Sequence, residues 1–131
     1  MGRTYAVHCA ACGWRASGLR RGSADALGSL EIVLGALEEP NRDEIRDLLD
    51  GDRVASRECA FGLYRCPRCR ALSSHLNVRL RLTDSTLHET RFFCRFCSGP
   101  LDEVTPDQVH GATCPSCGQP ALACEAVVSW D

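Results

Sequence analysis

Eight of the chain's ten cysteines fall in four Cys-x-x-Cys pairs, Cys9/Cys12, Cys66/Cys69, Cys94/Cys97 and Cys114/Cys117. Two thiolates at this spacing can bind one metal ion from a single turn. Two such turns facing each other close a tetrahedron with metal–sulfur distances of about 2.3 Å. Four pairs therefore supply two four-sulfur sites with no remainder. A site of four thiolates keeps no open coordination position, so its ion contributes folding free energy rather than Lewis acidity. Gly13 and Gly118 directly follow the second cysteine of their pairs. There a turn that aims backbone N–H groups at sulfur calls for positive φ, which glycine adopts without a Cβ clash.

Spacing alone leaves two ways to share the metals. Sixteen residues separate Cys97 from Cys114, the length of a compact ribbon. The preferred arrangement thus joins Cys94/Cys97 to Cys114/Cys117 and leaves Cys9/Cys12 to Cys66/Cys69. The rival joins Cys66/Cys69 to Cys94/Cys97 around the intervening chain and leaves the two outer pairs together. Cys59 and Cys124 belong to no pair and are expected to sit as small apolar groups. His8, His75, His88 and His110 show no spacing of a second kind of site.

The elements that would position these cysteines are short. Tyr5 to Cys9 alternates as a strand, and Trp14 and Ala16 resume one beyond the first turn. Ser23 is a suitable N-cap, Asp25 complements a helix dipole, and Leu27, Leu30, Leu34 and Leu37 fall on one helical stripe. Gly28 and Gly35, seven apart, suggest close approach of another backbone to that helix. Pro40 ends it, Asn41 with Glu44 resembles a capping pair for a second helix with Ile45, Leu48 and Leu49 inward, and Gly51 stops that one. Residues 23–50 are thus expected to form a helical hairpin inserted between metal-binding halves.

A polar link over 52–58 should follow. Leu76, Val78, Leu80 and Leu82 then alternate with Asn77, Arg79 and Arg81, a half-buried strand whose hairpin spans about 76–93. An acidic loop through Asp107 and a last strand over Ala121–Trp130 complete the chain. The expected fold is a small, metal-stabilised α+β protein. Residues 1–93 would form a first zinc ribbon with the helical insert and the hairpin, and residues 94–131 a second ribbon.

At 131 residues, 44% hydrophobic and 24% charged, the composition is that of a globular domain with a modest core that metal sites would reinforce. No apolar run reaches the roughly 18 residues that span a bilayer, and no secretory leader is evident, so a cytoplasmic location is expected. In that reducing setting, pairs of this spacing read as metal ligands and not as disulfides. All fifteen basic residues are arginine, and the net charge of −2 conceals blocks of alternating sign. Residues 1–24 carry +4, residues 25–58 carry −6, residues 59–97 carry +5 and residues 98–131 carry −5.

Cys-Ala-Ala-Cys-Gly-Trp and Cys-Pro-Ser-Cys-Gly resemble rubredoxin knuckles, which admits iron, but the spacing and the helical insert depart from that family and favour two zinc ions. The four knuckles, the Gly-rich approach to a helix after the first of them and the Trp130-Asp131 end are similar to small bacterial multi-knuckle zinc-ribbon proteins. That resemblance implies fold and metal and names no substrate.

Saturated metal sites, and a sequence without a nucleophile, base and oxyanion arrangement, point away from an enzyme and from a small-molecule substrate. The expectation is a zinc-binding adaptor or small subunit that docks on a protein partner, or on a second copy, through the insert or a ribbon face. The alternative is nucleic-acid binding on Arg20, Arg21, Arg68, Arg70, Arg79 and Arg81. A thiol redox or metalloenzyme role is a third reading.

Overall fold

The computed structural model describes residues 2–24 and 30–130. Its strands are β1 (Gly2–Cys9), β2 (Arg15–Ser23), β3 (Val54–Arg65), β4 (Leu72–Leu82), β5 (Leu87–Glu89), β6 (Asp102–Val104) and β7 (Leu122–Trp130). Among the described residues three short helices interrupt them, α1 (Leu30–Gly35), α2 (Asn41–Asp50) and α3 (Pro106–Val109). The strands form one sheet in the order β5-β4-β3-β2-β1-β7, with β6 added to β3, and every pairing is antiparallel.

The expected α+β fold with an inserted helical hairpin is overturned. The molecule is mostly antiparallel sheet, 46% strand against 15% helix. Two local readings account for the difference. Ser23, expected to cap a helix, ends β2 and pairs with Ala60. The polar stretch expected as a link is the first half of β3, the longest strand, which runs against β4 from Val54↔Leu82 to Arg65↔Leu72. Pairing with β4 along its whole length outweighs the poor strand composition of its first residues, which are mostly exposed. The expectations for Asp25, Leu27 and Gly28 lie outside the described residues. Gly35 faces open space, not another backbone.

The β4 face behaves as its alternation requires. Leu76, Val78, Leu80 and Leu82 are buried with Val33, Leu34, Leu37 and Ile45 in one apolar cluster. The turn after β4 is set by Asp84, whose Oδ1 accepts from the Thr86 N–H at 3.0 Å and from its hydroxyl at 2.6 Å, with Ser85 at φ 73°. Asn41 does not cap α2. Its side chain is buried, donates to the Arg91 carbonyl at 2.7 Å and accepts from the Arg91 N–H at 3.0 Å, tying α2 to the segment that leads into the third knuckle.

A second cluster contains Tyr5, Val7, Leu19, Leu63, Val109 and Leu122. The sheet narrows between the two clusters, where β2 meets β3 only through Gly22↔Phe61 and Ser23↔Ala60. Trp130 plugs this waist. Its Nε1 donates to the Ser23 carbonyl at 3.4 Å, its ring meets Phe61 edge-on, and it fills the space that a side chain on Gly2 would need.

Candidate metal centres

All four knuckles are the same turn. The N–H of the residue after the second cysteine donates to the carbonyl of the first, at 2.9 Å for Gly13 to Cys9, 2.8 Å for Arg70 to Cys66, 2.8 Å for Ser98 to Cys94 and 3.0 Å for Gly118 to Cys114. Each first cysteine in turn donates its N–H to the carbonyl one residue further on, at Trp14, Ala71, Gly99 and Gln119. The closing residue has positive φ in every case, at 80° for Gly13, 62° for Arg70, 60° for Ser98 and 75° for Gly118. Glycine is thus present at two of the four left-handed positions, and arginine and serine occupy the other two.

The knuckles meet in two tetrads, Cys9, Cys12, Cys114 and Cys117 in one and Cys66, Cys69, Cys94 and Cys97 in the other, with all sulfurs of a tetrad within 4.8 Å of one another. This corrects the preferred sharing of Cys94/Cys97 with Cys114/Cys117; the rival arrangement is the one formed. The physical reason is strand pairing over distance. β7 lies against β1 from Gly2↔Trp130 to Cys9↔Leu122, which brings the first and last knuckles to one end of the sheet. The β3/β4 pair opens the second knuckle at Arg65↔Leu72, and β6 returns the chain from the third knuckle to the same end of β3 at Arg65↔Asp102.

The geometry suits a tetrahedral ion. Sulfur separations are 3.6 Å for Cys9 and Cys117, 3.7 Å for Cys12 and Cys114, and 3.5 Å for Cys66 and Cys97. Four sulfurs at about 2.3 Å from one zinc stand about 3.8 Å apart. The spacing is too long for a disulfide, whose sulfurs lie about 2.0 Å apart, and all ten cysteines are free.

Backbone N–H groups support the sulfurs. Cys69 N–H donates to Cys66 Sγ at 3.3 Å, Phe96 to Cys94 at 3.4 Å, Gly99 to Cys97 at 3.4 Å, and Ser116 and Cys117 to Cys114 at 3.3 and 3.5 Å. The thiols divide accordingly. The Cys69 N–H holds Cys66 down at about 7, while the neighbouring Cys97 thiol pushes Cys69 up to about 12. Desolvation raises Cys114, but the N–H groups of Cys117 and Ser116 outweigh it and leave this thiol at about 7. Cys117 accepts from Gln119, yet desolvation and the Cys9 thiol push it up to about 12. Four crowded thiolates need a cation between them, and these eight residues fit one divalent ion per tetrad.

In both tetrads the first cysteine of each knuckle is buried and the second faces outward. Cys12 and Cys117 are exposed, Cys69 and Cys97 half-buried. Cys59 and Cys124 are both half-buried beside the cores and belong to neither tetrad. His110 accepts from the Cys124 N–H at 3.2 Å, which covers that point of the β7 edge.

The arginines named from the sequence do not form one stripe. Arg20 lies over the Phe61 ring at 5.5 Å. Arg79 stands opposite Glu58 and Glu89 in register and pairs with Glu89 at 3.3 Å and Glu103 at 4.0 Å, while Arg81 is exposed. Arg21 and Arg79 line a small cleft with Glu58 and Glu103. Arg68 and Arg70 flank Cys69, the first running against Gly99 and the second reaching Gly118, so Arg70 spans from one metal centre to the other.

Sequence reading missed α3 and the strand before it, taken as an acidic loop. The signal was present, since Thr105-Pro106-Asp107-Gln108 is a capping box with proline at the first turn. Thr105 Oγ1 accepts from the Gln108 N–H at 3.3 Å, and the Thr105 N–H donates to the Gln108 side chain at 2.8 Å.

Comparison of the chain with protein-family models, curated proteins and solved structures finds no match to any of them. What stands of the expected metal protein is the pair of cysteine tetrads positioned to bind metal, with no family shown. Among the described residues no helix is long and apolar enough to cross a membrane.

Proposed function

We propose that the protein is a non-catalytic zinc-binding adaptor or small subunit that docks on a protein partner. The observation that carries this reading is the closure of both tetrads, whose four sulfurs fill the coordination of a tetrahedral ion and leave it no open position for a substrate. Zinc is the ion that all-thiolate knuckles of this form commonly hold, and it adds stability without redox chemistry. Docking is supported by apolar side chains left in water, Ile32 on α1, Phe93 and Phe96 around the third knuckle, and Val127 and Val128 on β7.

Nucleic-acid binding is the weaker reading, because Arg79 is framed by three glutamates and each zinc-loaded tetrad adds about two negative charges. Metal analysis of the purified protein tests the first half of the proposal. Two zinc per chain, with the eight thiols protected from alkylation until a chelator is added, is the expected result, and bound iron or freely reactive pairs would refute it. Crosslinking of the holo-protein in its native cell tests the second half. A stoichiometric protein partner is expected, and a protein that stays monomeric and uncrosslinked, or that recovers only nucleic acid, would overturn the adaptor reading.

A further inference from the structure

The two tetrads differ in which sulfurs a dissolved oxidant can reach. In the first, Cys12 and Cys117 are exposed while Cys9 and Cys114 are buried; in the second, Cys69 and Cys97 are half-buried and Cys66 and Cys94 buried. Oxidation of cysteine follows thiolate character and exposure, so the first tetrad is met at Cys12 and Cys117. Each of these exposed sulfurs has a buried one beside it on the opposite knuckle. Cys117 Sγ lies 3.6 Å from Cys9 Sγ, and Cys12 Sγ lies 3.7 Å from Cys114 Sγ. This is the arrangement of an attacked and a resolving cysteine, present twice, and an approach of about 1.6 Å brings each pair near the roughly 2.0 Å of a disulfide. In the second tetrad Cys66 and Cys97 are as close, at 3.5 Å, but that proximity comes without an exposed sulfur.

With hydrogen peroxide as the oxidant, the thiolate of Cys12 or Cys117 attacks one peroxide oxygen. The O–O bond breaks, hydroxide departs and the sulfur carries a sulfenic acid. The buried partner, Cys114 or Cys9, then attacks that sulfur, forms the S–S bond and expels the second oxygen as hydroxide. Two electrons pass from the sulfur pair to the peroxide, and two protons from solvent turn both hydroxides into water. Each disulfide consumes one peroxide.

We infer that the first tetrad is a site of oxidation by peroxides, where its four thiolates become the cross-knuckle disulfides Cys9–Cys117 and Cys12–Cys114 while the second tetrad stays reduced. This goes beyond the adaptor reading and rests only on its metal half, that each tetrad holds a zinc ion in the reduced protein. A tetrad without thiolates keeps no zinc. The new bonds nevertheless join residues 108 and 102 apart, so β1 stays tied to β7 after the ion has gone. Bonds within each knuckle, Cys9–Cys12 and Cys114–Cys117, would cut that tie.

Hydrogen peroxide added to the zinc-loaded full chain tests the inference, with released zinc read by a colorimetric chelator and disulfides mapped by mass spectrometry of unreduced digests. One zinc per chain should leave roughly tenfold faster than the other, in step with the two cross-knuckle bonds. The oxidised protein should remain a monomer in size-exclusion chromatography, and a dithiol reductant with added zinc should restore the loaded form. Cys124→Ser removes a half-buried thiol packed in the same apolar cluster as Cys9 and Cys114, and should change neither the rate nor the pairing. Equal loss of both zinc ions, bonds within a knuckle, between chains or to Cys124, or irreversible sulfinic acid would overturn the inference and leave the metal reading standing. A purified, reduced protein that carries no zinc would instead remove the metal reading, and the inference with it.

Discussion

The tetrad of Cys9, Cys12, Cys114 and Cys117 ties residues as much as 108 apart, whereas Cys66 and Cys97 in the other are separated by 31. Both use one turn geometry, so the contrast lies in what each closes. The first clamps β1 to β7 and with them the whole chain; the second clamps the β3/β4 end to a local excursion through β5. Loop closure costs more for the longer span, by about 1 kcal/mol for this ratio. The second centre also has other ties. Asn41 pins the segment leading into its third knuckle, and β6, leaving that knuckle, is pinned to β3. The first centre has exposed outer sulfurs and glycine at both left-handed positions, while the second has half-buried sulfurs and none. A topological staple that is easy to reach is thereby set against a local one that is better covered.

Removal of both metals gives the largest effect. A structural zinc contributes an apparent 10–16 kcal/mol, roughly the whole stability of a domain this size. Chelation should abolish the strand signal in circular dichroism, and a sheet that survives would deny either centre a structural role. Acid comes next. With Cys66 and Cys114 lowered to about 7 and their neighbours raised, protons compete with the ion increasingly as pH falls, at about 1.4 kcal/mol per proton per pH unit. Zinc release followed by a colorimetric chelator should rise as pH falls, setting in well below the metal-free thiol values because the ion itself holds the thiolates deprotonated. The first tetrad, whose outer sulfurs are exposed, should empty ahead of the second. Simultaneous release would erase the distinction in accessibility.

Asn41→Ala should cost about 2 kcal/mol in urea unfolding, because the Arg91 N–H and carbonyl lose a partner in a half-buried setting. It should also speed metal loss from the second tetrad and leave the first unaffected. Cys114→Ser is expected to be less stable than Cys66→Ser by about 1 kcal/mol, the closure difference; equal values would show that chain length between ligands is irrelevant. Ser98→Gly is the finest probe, expected to gain about 0.5 kcal/mol as relief at φ 60° exceeds the entropy cost of glycine, while Gly118→Ala should lose about 1 kcal/mol.

The chemistry of each knuckle was legible in the residues, because it depends on a handful of consecutive positions. Gly13 and Gly118 have the positive φ that their place after a second cysteine called for. The buried face of β4 was equally readable from its alternation. Partnership between knuckles was not, since nearness in sequence favoured Cys94/Cys97 with Cys114/Cys117 and the decision belongs to β1 and β7, two strands from opposite ends of the chain. The same blindness hid the first half of β3. Val54 to Glu58 is polar and mostly exposed, and only its partner strand makes it extended. Helical periodicity was real at Leu34 and Leu37, which reach the core, but a stripe of leucines does not say how long a helix runs or how much sheet surrounds it.

The orientation of β1 against β7 has a mechanical consequence. Gly2 and Trp130 face each other at one end of this pair, and Cys9 and Leu122 at the other, beside the first metal centre. A load applied between Gly2 and Trp130 acts across the ladder rather than along it, so the strands separate rung by rung, like a zip. The peel then arrives at Cys9 with the sulfur clip still shut. Single-molecule pulling on the zinc-loaded protein should record a low, gradual yield followed by one abrupt rupture, and the abrupt event should vanish in Cys9→Ser.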